Sequence, residues 1–93
     1  MKIYQSCSFE LKVKKFNKIE KDNLDSEIKK IVENPSIGIE KKGDLRGIFV
    51  YKFKIKTMLY LLSYRLVTDG LELIMVGAHE NYYRDLKSYL KNK

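Results

Sequence analysis

"FVYKFKIKTMLYLLSYRLVTDGLELIMVGA" occupies residues 49–78, and its periodicity decides the fold. In its first part Tyr51, Phe53 and Ile55 alternate with Lys52, Lys54 and Lys56. A period of two is that of a β-strand, here with one apolar face and one lysine face. "MLYLLSYR", residues 58–65, is apolar on both faces and turns polar at Ser63 and Arg65. It reads as a central strand. Asp69-Gly70 is a hairpin signal, and "LELIMVGA", residues 71–78, is the next strand. Three strands with short connections make an antiparallel meander.

Upstream, Lys2 to Gln5 can form a short first strand, and Ser6 or Ser8 can cap a helix. Phe9, Val13 and Phe16 follow at helical spacing. Asp22 and Asn23 break that stripe, so the second helix is expected to start at an Asn23 cap, with Asp25 and Glu27 near its positive end. Leu24, Ile28, Ile31 and Val32 form its apolar stripe, and Asn34-Pro35 ends it. Residues 36 to 47 read as a loop punctuated by Gly38, Gly43 and Gly47. After the meander, Tyr82, Leu86, Tyr89 and Leu90 mark a last helix, with Lys87 and Lys91 towards its C-terminal end. The expected class is α+β: a short first strand, an N-terminal helical hairpin, an antiparallel β-meander and a C-terminal helix. All 93 residues fit one small domain, with the helices on one face of the sheet.

The chain carries a formal net charge of +7. Lys41 to Thr68 holds seven basic residues against one acid, Asp44, so the excess is concentrated where the sheet begins. A polyanion is the natural partner of such a patch. The single cysteine, Cys7, excludes an intrachain disulfide and a multi-cysteine zinc site. It reads as a buried or half-buried thiol near the start of a helix. "KKGDLRG", residues 41–47, lacks the P-loop pattern, and no metal-ligand cluster or dinucleotide fingerprint is present. No cofactor is expected. Met1 to Cys7 has no apolar core of a signal peptide, and the longest nearly uncharged run, Thr57 to Tyr64, is too short to span a bilayer. A soluble cytoplasmic protein without a membrane partner is the expectation.

Lys52, Lys54 and Lys56 are spaced like successive phosphates of a nucleic acid strand, roughly 6–7 Å apart. Lysines that protect an edge strand from aggregation are the alternative. Arg65 can offer a bidentate fork to a phosphate, or pair with Asp69 or Glu72 around the hairpin. The only histidine, His79, stands in "GAHENYYRDLK", residues 77–87, beside Glu80, Tyr83 and Arg84. RNA cleavage through the 2′-hydroxyl needs a base, an acid for the leaving 5′-oxygen and positive charge at the phosphorus. These residue types supply all three. Tyr82 begins the apolar stripe and belongs to the core, whereas Tyr83, about 100° round the helix, is the freer candidate.

The segments "GDLRGIFVYKFKI" (43–55), "YLLSYR" (60–65) and "VGAHENYYRDLKSYL" (76–90), with a helical hairpin ending in "ENP", resemble the RelE/ParE superfamily of type II toxin–antitoxin toxins. The resemblance implies a twisted antiparallel sheet, an N-terminal helical hairpin and a cognate antitoxin encoded beside the toxin, expected to be acidic. Many members cut mRNA in the ribosomal A site without a metal, through the substrate's own 2′-hydroxyl. Their catalytic sets lie on the concave sheet face and near the C-terminus, and the matching positions here are Lys52, Lys54, Arg65, His79 and Tyr83. The ParE branch instead poisons DNA gyrase. The expected roles are therefore Arg65 and Lys54 on the scissile phosphate, His79 or Glu80 in proton transfer, and Tyr83 in stacking or hydrogen bonding. Lys41, Lys42, Arg46, Lys52, Lys56 and Arg84 would grip RNA of the message and ribosome. Helix-forming residues continue through Lys91, a departure from the best-known RelE-type ending.

Overall fold

The computed structural model describes residues 2–80 and 82–91. The chain runs β1 (Lys2–Gln5), α1 (Cys7–Lys14), α2 (Lys18–Glu33), β2 (Ile39–Glu40), β3 (Phe49–Ile55), β4 (Met58–Val67), β5 (Gly70–Ala78) and α3 (Tyr82–Lys91). Single 3-10 turns occupy Pro35–Ile37 and Gly43–Leu45. One five-stranded sheet has the order β1-β5-β4-β3-β2. β1 pairs with β5 in parallel, and every other neighbour is antiparallel. Gly70 is required where β1 meets β5, because a Cβ there would fall 1.9 Å from the carbonyl oxygen of Lys2.

Ser6 turns the chain from β1 into α1. Its hydroxyl accepts the N–H of Phe9 at 3.1 Å and donates to the buried carbonyl of Ile74. One side chain thus caps a helix and satisfies a bulged strand. Ser6→Ala is expected to cost about 1–2 kcal/mol. A thermal melt would then shift down by roughly 5–15 °C.

The break between α1 and α2 falls earlier than Asp22-Asn23. Asn17 caps α2 in a reciprocal capping box: its side chain accepts the N–H of Glu20, and Glu20 accepts the N–H of Asn17, both at 2.8 Å. Asn23 lies inside the helix, donating to the Ile19 carbonyl at 2.9 Å. Its exposed position makes the polar side chain tolerable there. β2 is also absent from the sequence reading. It is two residues long, too short for any period, and tertiary contacts specify it. The Tyr64 hydroxyl accepts the Gly38 N–H at 3.0 Å and donates to the Pro35 carbonyl at 2.6 Å, tying this segment to the sheet.

The helices do not share one face. α1 and α2 cover Phe53, Ile55, Tyr60, Leu62, Tyr64, Leu71, Leu73 and Val76 with Phe9, Phe16, Leu24 and Ile31. α3 covers the opposite face, where Tyr82 and Leu86 pack with Leu45, Ile48, Val50, Leu61 and Ile74. The cause is visible in β4 and β5: strands apolar on both faces need cover on both. A bulge helps. Tyr64 pairs with Leu73 but Ser63 pairs with Met75, so Ile74 is the extra residue. Ile74 and Met75 both pack on the α3 side, and Val76 returns to the hairpin side.

Tyrosines fasten the hairpin to the sheet. Tyr51 donates to Glu27 at 2.6 Å, and burial together with that carboxylate pushes its pKa up to about 12. Tyr60, Tyr64 and Tyr82 are raised as well, each chiefly by burial. A tyrosine pKa raised on folding means that the folded state holds the proton more tightly. The stabilisation is complete below the unfolded value of 10.0 and is lost as pH rises through the folded value. Stability is therefore expected to fall between pH 10 and about 12. Denaturation series across that range would show the slope, and Tyr51→Phe would remove part of it.

Candidate functional site

The alternation of β3 sets the site. Val50 is buried under α3, so Lys52 and Lys54, two and four residues on, share its face, while Tyr51, Phe53 and Ile55 face the helical hairpin. Both lysines are exposed, and neither has an ion-pair or hydrogen-bond partner among the described residues. Lys56 leaves the row. It sits in the two-residue turn between Ile55 and Met58, with φ +57°. The expected three-lysine face is thus two lysines on a strand and one at a turn.

The register assigns neighbours. Lys54 lies opposite Leu59, and the N–H of His79 donates to the Leu59 carbonyl at 3.2 Å. Lys54 and His79 therefore flank the same β4 residue, their backbones about 10 Å apart, two strand spacings. The carbonyl of His79 accepts the N–H of Tyr82 at 3.2 Å. His79 is consequently held between the last rung of the sheet and the first turn of α3, with its side chain exposed.

Arg65 lies elsewhere. It is six residues along β4 from Leu59, about 20 Å at the rise of a strand. It sits opposite Glu72, and its Nε donates to Glu72 Oε1 at 2.5 Å. Arg65 and Lys54 cannot grip one phosphate, as the sequence reading had them do. The hairpin pair, one of the alternatives for Arg65, is the arrangement present. Spacing along a strand revealed the face but not the position on it, because the β4–β5 register was unknown.

Tyr83 is not the free side chain expected. Its ring is half-buried against the α3-side core, packs edge-on to Tyr82 at 5.9 Å, and carries the ammonium of Lys41 at 5.0 Å from its centroid. Tyr82 is core, as its place in the stripe implied. Its hydroxyl donates between Ser63 Oγ (2.8 Å) and the Met75 carbonyl (2.7 Å). Lys42 and Arg46 are exposed, and Arg84 lies 3.7 Å from its neighbour Asp85. Cys7 is exposed rather than buried. It opens α1 while Ser6 and Phe9 take the inward positions. Asn81, within the β5–α3 junction, lies outside the described residues.

One feature was missed. A groove of about 440 Å³ runs along the second half of β5, between α1 and α3, and Lys12, Lys15, Glu80 and Asp85 line it. Glu80 thus belongs to this groove. No pattern within either helix could reveal it, since it exists only where β1 stops short. Among the described residues no cluster of His, Cys, Asp and Glu could hold a metal ion, and no helix is long and apolar enough to cross a membrane.

The model of a family described as ParE-like toxin of type II bacterial toxin–antitoxin system matches residues 3–87. The chain belongs to this family. It is a type II toxin of the RelE/ParE kind, and solved structures agree in fold. A chain of the intact E. coli RelBE toxin–antitoxin complex superposes with a TM-score of 0.66 at 19% identity, covering 84% of this toxin and 95% of that chain. The isolated E. coli RelE toxin gives 0.63 at 18% identity, covering 94% and 96%. A doubly arginine-substituted E. coli RelE in the free state gives 0.70 at 16% identity, covering 96% and 94%. No curated protein matches in sequence.

Proposed function

We propose that this toxin is a ribosome-dependent, metal-independent mRNA endonuclease held in check by a cognate antitoxin. The observation that carries the reading is the Lys54–Leu59–His79 row: an unpaired lysine and the only histidine flank one rung at the end of an exposed basic strand. In the reaction, a base removes the 2′-hydroxyl proton and the 2′-oxygen attacks phosphorus. The bond to the 5′-oxygen breaks, leaving a 2′,3′-cyclic phosphate, and an acid protonates the departing oxygen. His79 serves one of these proton transfers, and Glu80 is the nearest second group in sequence. Lys54 stabilises the charge that builds on the phosphate oxygens. Lys52 and Lys56 hold neighbouring phosphates, and Lys41, Lys42, Arg46 and Arg84 provide further contacts to RNA. Arg65 lies about three phosphates away from Lys54 and contacts the flanking strand if it leaves Glu72.

The ParE-like description of the family favours a second reading, inhibition of DNA gyrase without nuclease activity. Primer extension on cellular mRNA after induction, run beside a gyrase supercoiling assay, separates the two. Discrete new 5′ ends with normal supercoiling support the endonuclease. Intact messages with inhibited supercoiling would replace it with the gyrase reading.

A further inference from the structure

β5 is paired on both sides for only part of its length. β1 covers Gly70 to Leu73 and then ends, because Ser6 diverts the chain into α1. Ser6 itself satisfies the next two carbonyls: its N–H donates to Leu73 at 3.0 Å and its hydroxyl to Ile74. Beyond this point the strand has an open edge. The N–H of His79 points to β4, as the bond to Leu59 shows. By the alternation of an antiparallel ladder, Gly77 does the same, whereas Val76 and Ala78 turn their N–H and C=O groups away from β4. No described residue bonds those four groups. Val76 is only 2% exposed, and unpaired backbone groups at so buried a residue are rare in native proteins.

The open edge forms the floor of the groove between α1 and α3. One wall offers Leu11, Lys12 and Lys15, and the other Glu80, Tyr82 and Asp85. Leu11 is 60% exposed, and neither lysine has a partner among the described residues. An edge with paired donors and acceptors, apolar surface beside it and cations along one wall has the character of a strand-addition site.

We propose that an extended segment of the antitoxin adds to β5 as a strand at Val76 and Ala78, in line with β1. This rests on the chain being a toxin with an antitoxin partner. Successive side chains of the incoming strand alternate between the walls. Those facing α1 are acidic, meeting Lys12 and Lys15, and those facing α3 are neutral or basic, meeting Glu80 and Asp85. A second copy of this chain, at net charge +7, is disfavoured by repulsion. Occupancy fixes the strand that leads directly into His79 and fills the groove that Glu80 lines. Neutralisation thus acts from behind the basic sheet face.

The test uses the full toxin and the complex purified with the antitoxin encoded beside it. Hydrogen exchange on the native protein is expected to slow at least tenfold at the Val76 and Ala78 amides in the complex. Ala78→Pro removes an outward N–H without taking a bond from β4, and proline is accepted at such edges. With its fold verified by circular dichroism, it is expected to weaken antitoxin binding at least tenfold. The Lys12→Glu, Lys15→Glu double variant is expected to do the same. Equal exchange at both amides in free and bound toxin would overturn the proposal, as would unchanged affinity in the double variant. Protection of those amides by a single-stranded RNA oligonucleotide but not by the antitoxin would also overturn it. Binding is read independently of mRNA cleavage, so a toxin that fails to cut message but gains this protection refutes the endonuclease and leaves the added strand standing.

Discussion

His79→Ala is expected to lower mRNA cleavage by about 10²–10³-fold, the usual contribution of a positioned acid or base, and to abolish growth arrest on induction. His79 is exposed and makes its two described hydrogen bonds through backbone atoms, so truncating the side chain should leave the fold intact. Lys54→Ala should lower cleavage in the same direction through lost stabilisation of phosphate charge. Arg65→Ala is the contrasting variant. It uncovers Glu72, whose side chain is only 17% exposed, so its main effect should be on stability rather than on the chemical step. Single-turnover cleavage of a programmed ribosome, beside a melt of each variant, separates these outcomes. Full cleavage by the His79 variant would remove histidine from the mechanism.

Leu86→Ala is expected to destabilise the protein by about 2–5 kcal/mol, a large share of the roughly 5–14 kcal/mol available to a chain of this size. Leu86 is fully buried and, with Tyr82, holds α3 against Leu45, Ile48, Val50, Leu61 and Ile74. The same packing fixes the junction that carries His79, so the loss should reach activity as temperature rises. Urea denaturation would show a lowered midpoint with an unchanged slope. A loss below about 1 kcal/mol would mean that α3 contributes little to the fold.

The site was partly legible in advance. Lys52 and Lys54 were readable as one face because side-chain direction in a strand follows sequence parity. Their partner was not, because the distance between two residues on neighbouring strands depends on register, which no local pattern specifies. Arg65 and Lys54 looked equivalent in sequence, yet the hairpin places the arginine against Glu72 and His79 beside the lysine's row. Tyr83 looked free because helical angle alone separated it from Tyr82. Lys41, more than forty residues upstream, is what covers its ring.

By itself, the sequence determined the elements: alternation made β3, the two-sided apolar runs made β4 and β5, and the helical stripes made α2 and α3. These are short-range consequences of backbone period and burial. Tertiary structure alone decided three things. It placed α3 opposite the hairpin, because a sheet apolar on both faces must be covered twice. It created β2, because Tyr64 reaches across to bond Pro35 and Gly38. It left half of β5 with an open edge, because Ser6 ends β1 after four residues. Each depends on groups distant in sequence meeting in space, and so on packing and register rather than on local propensity.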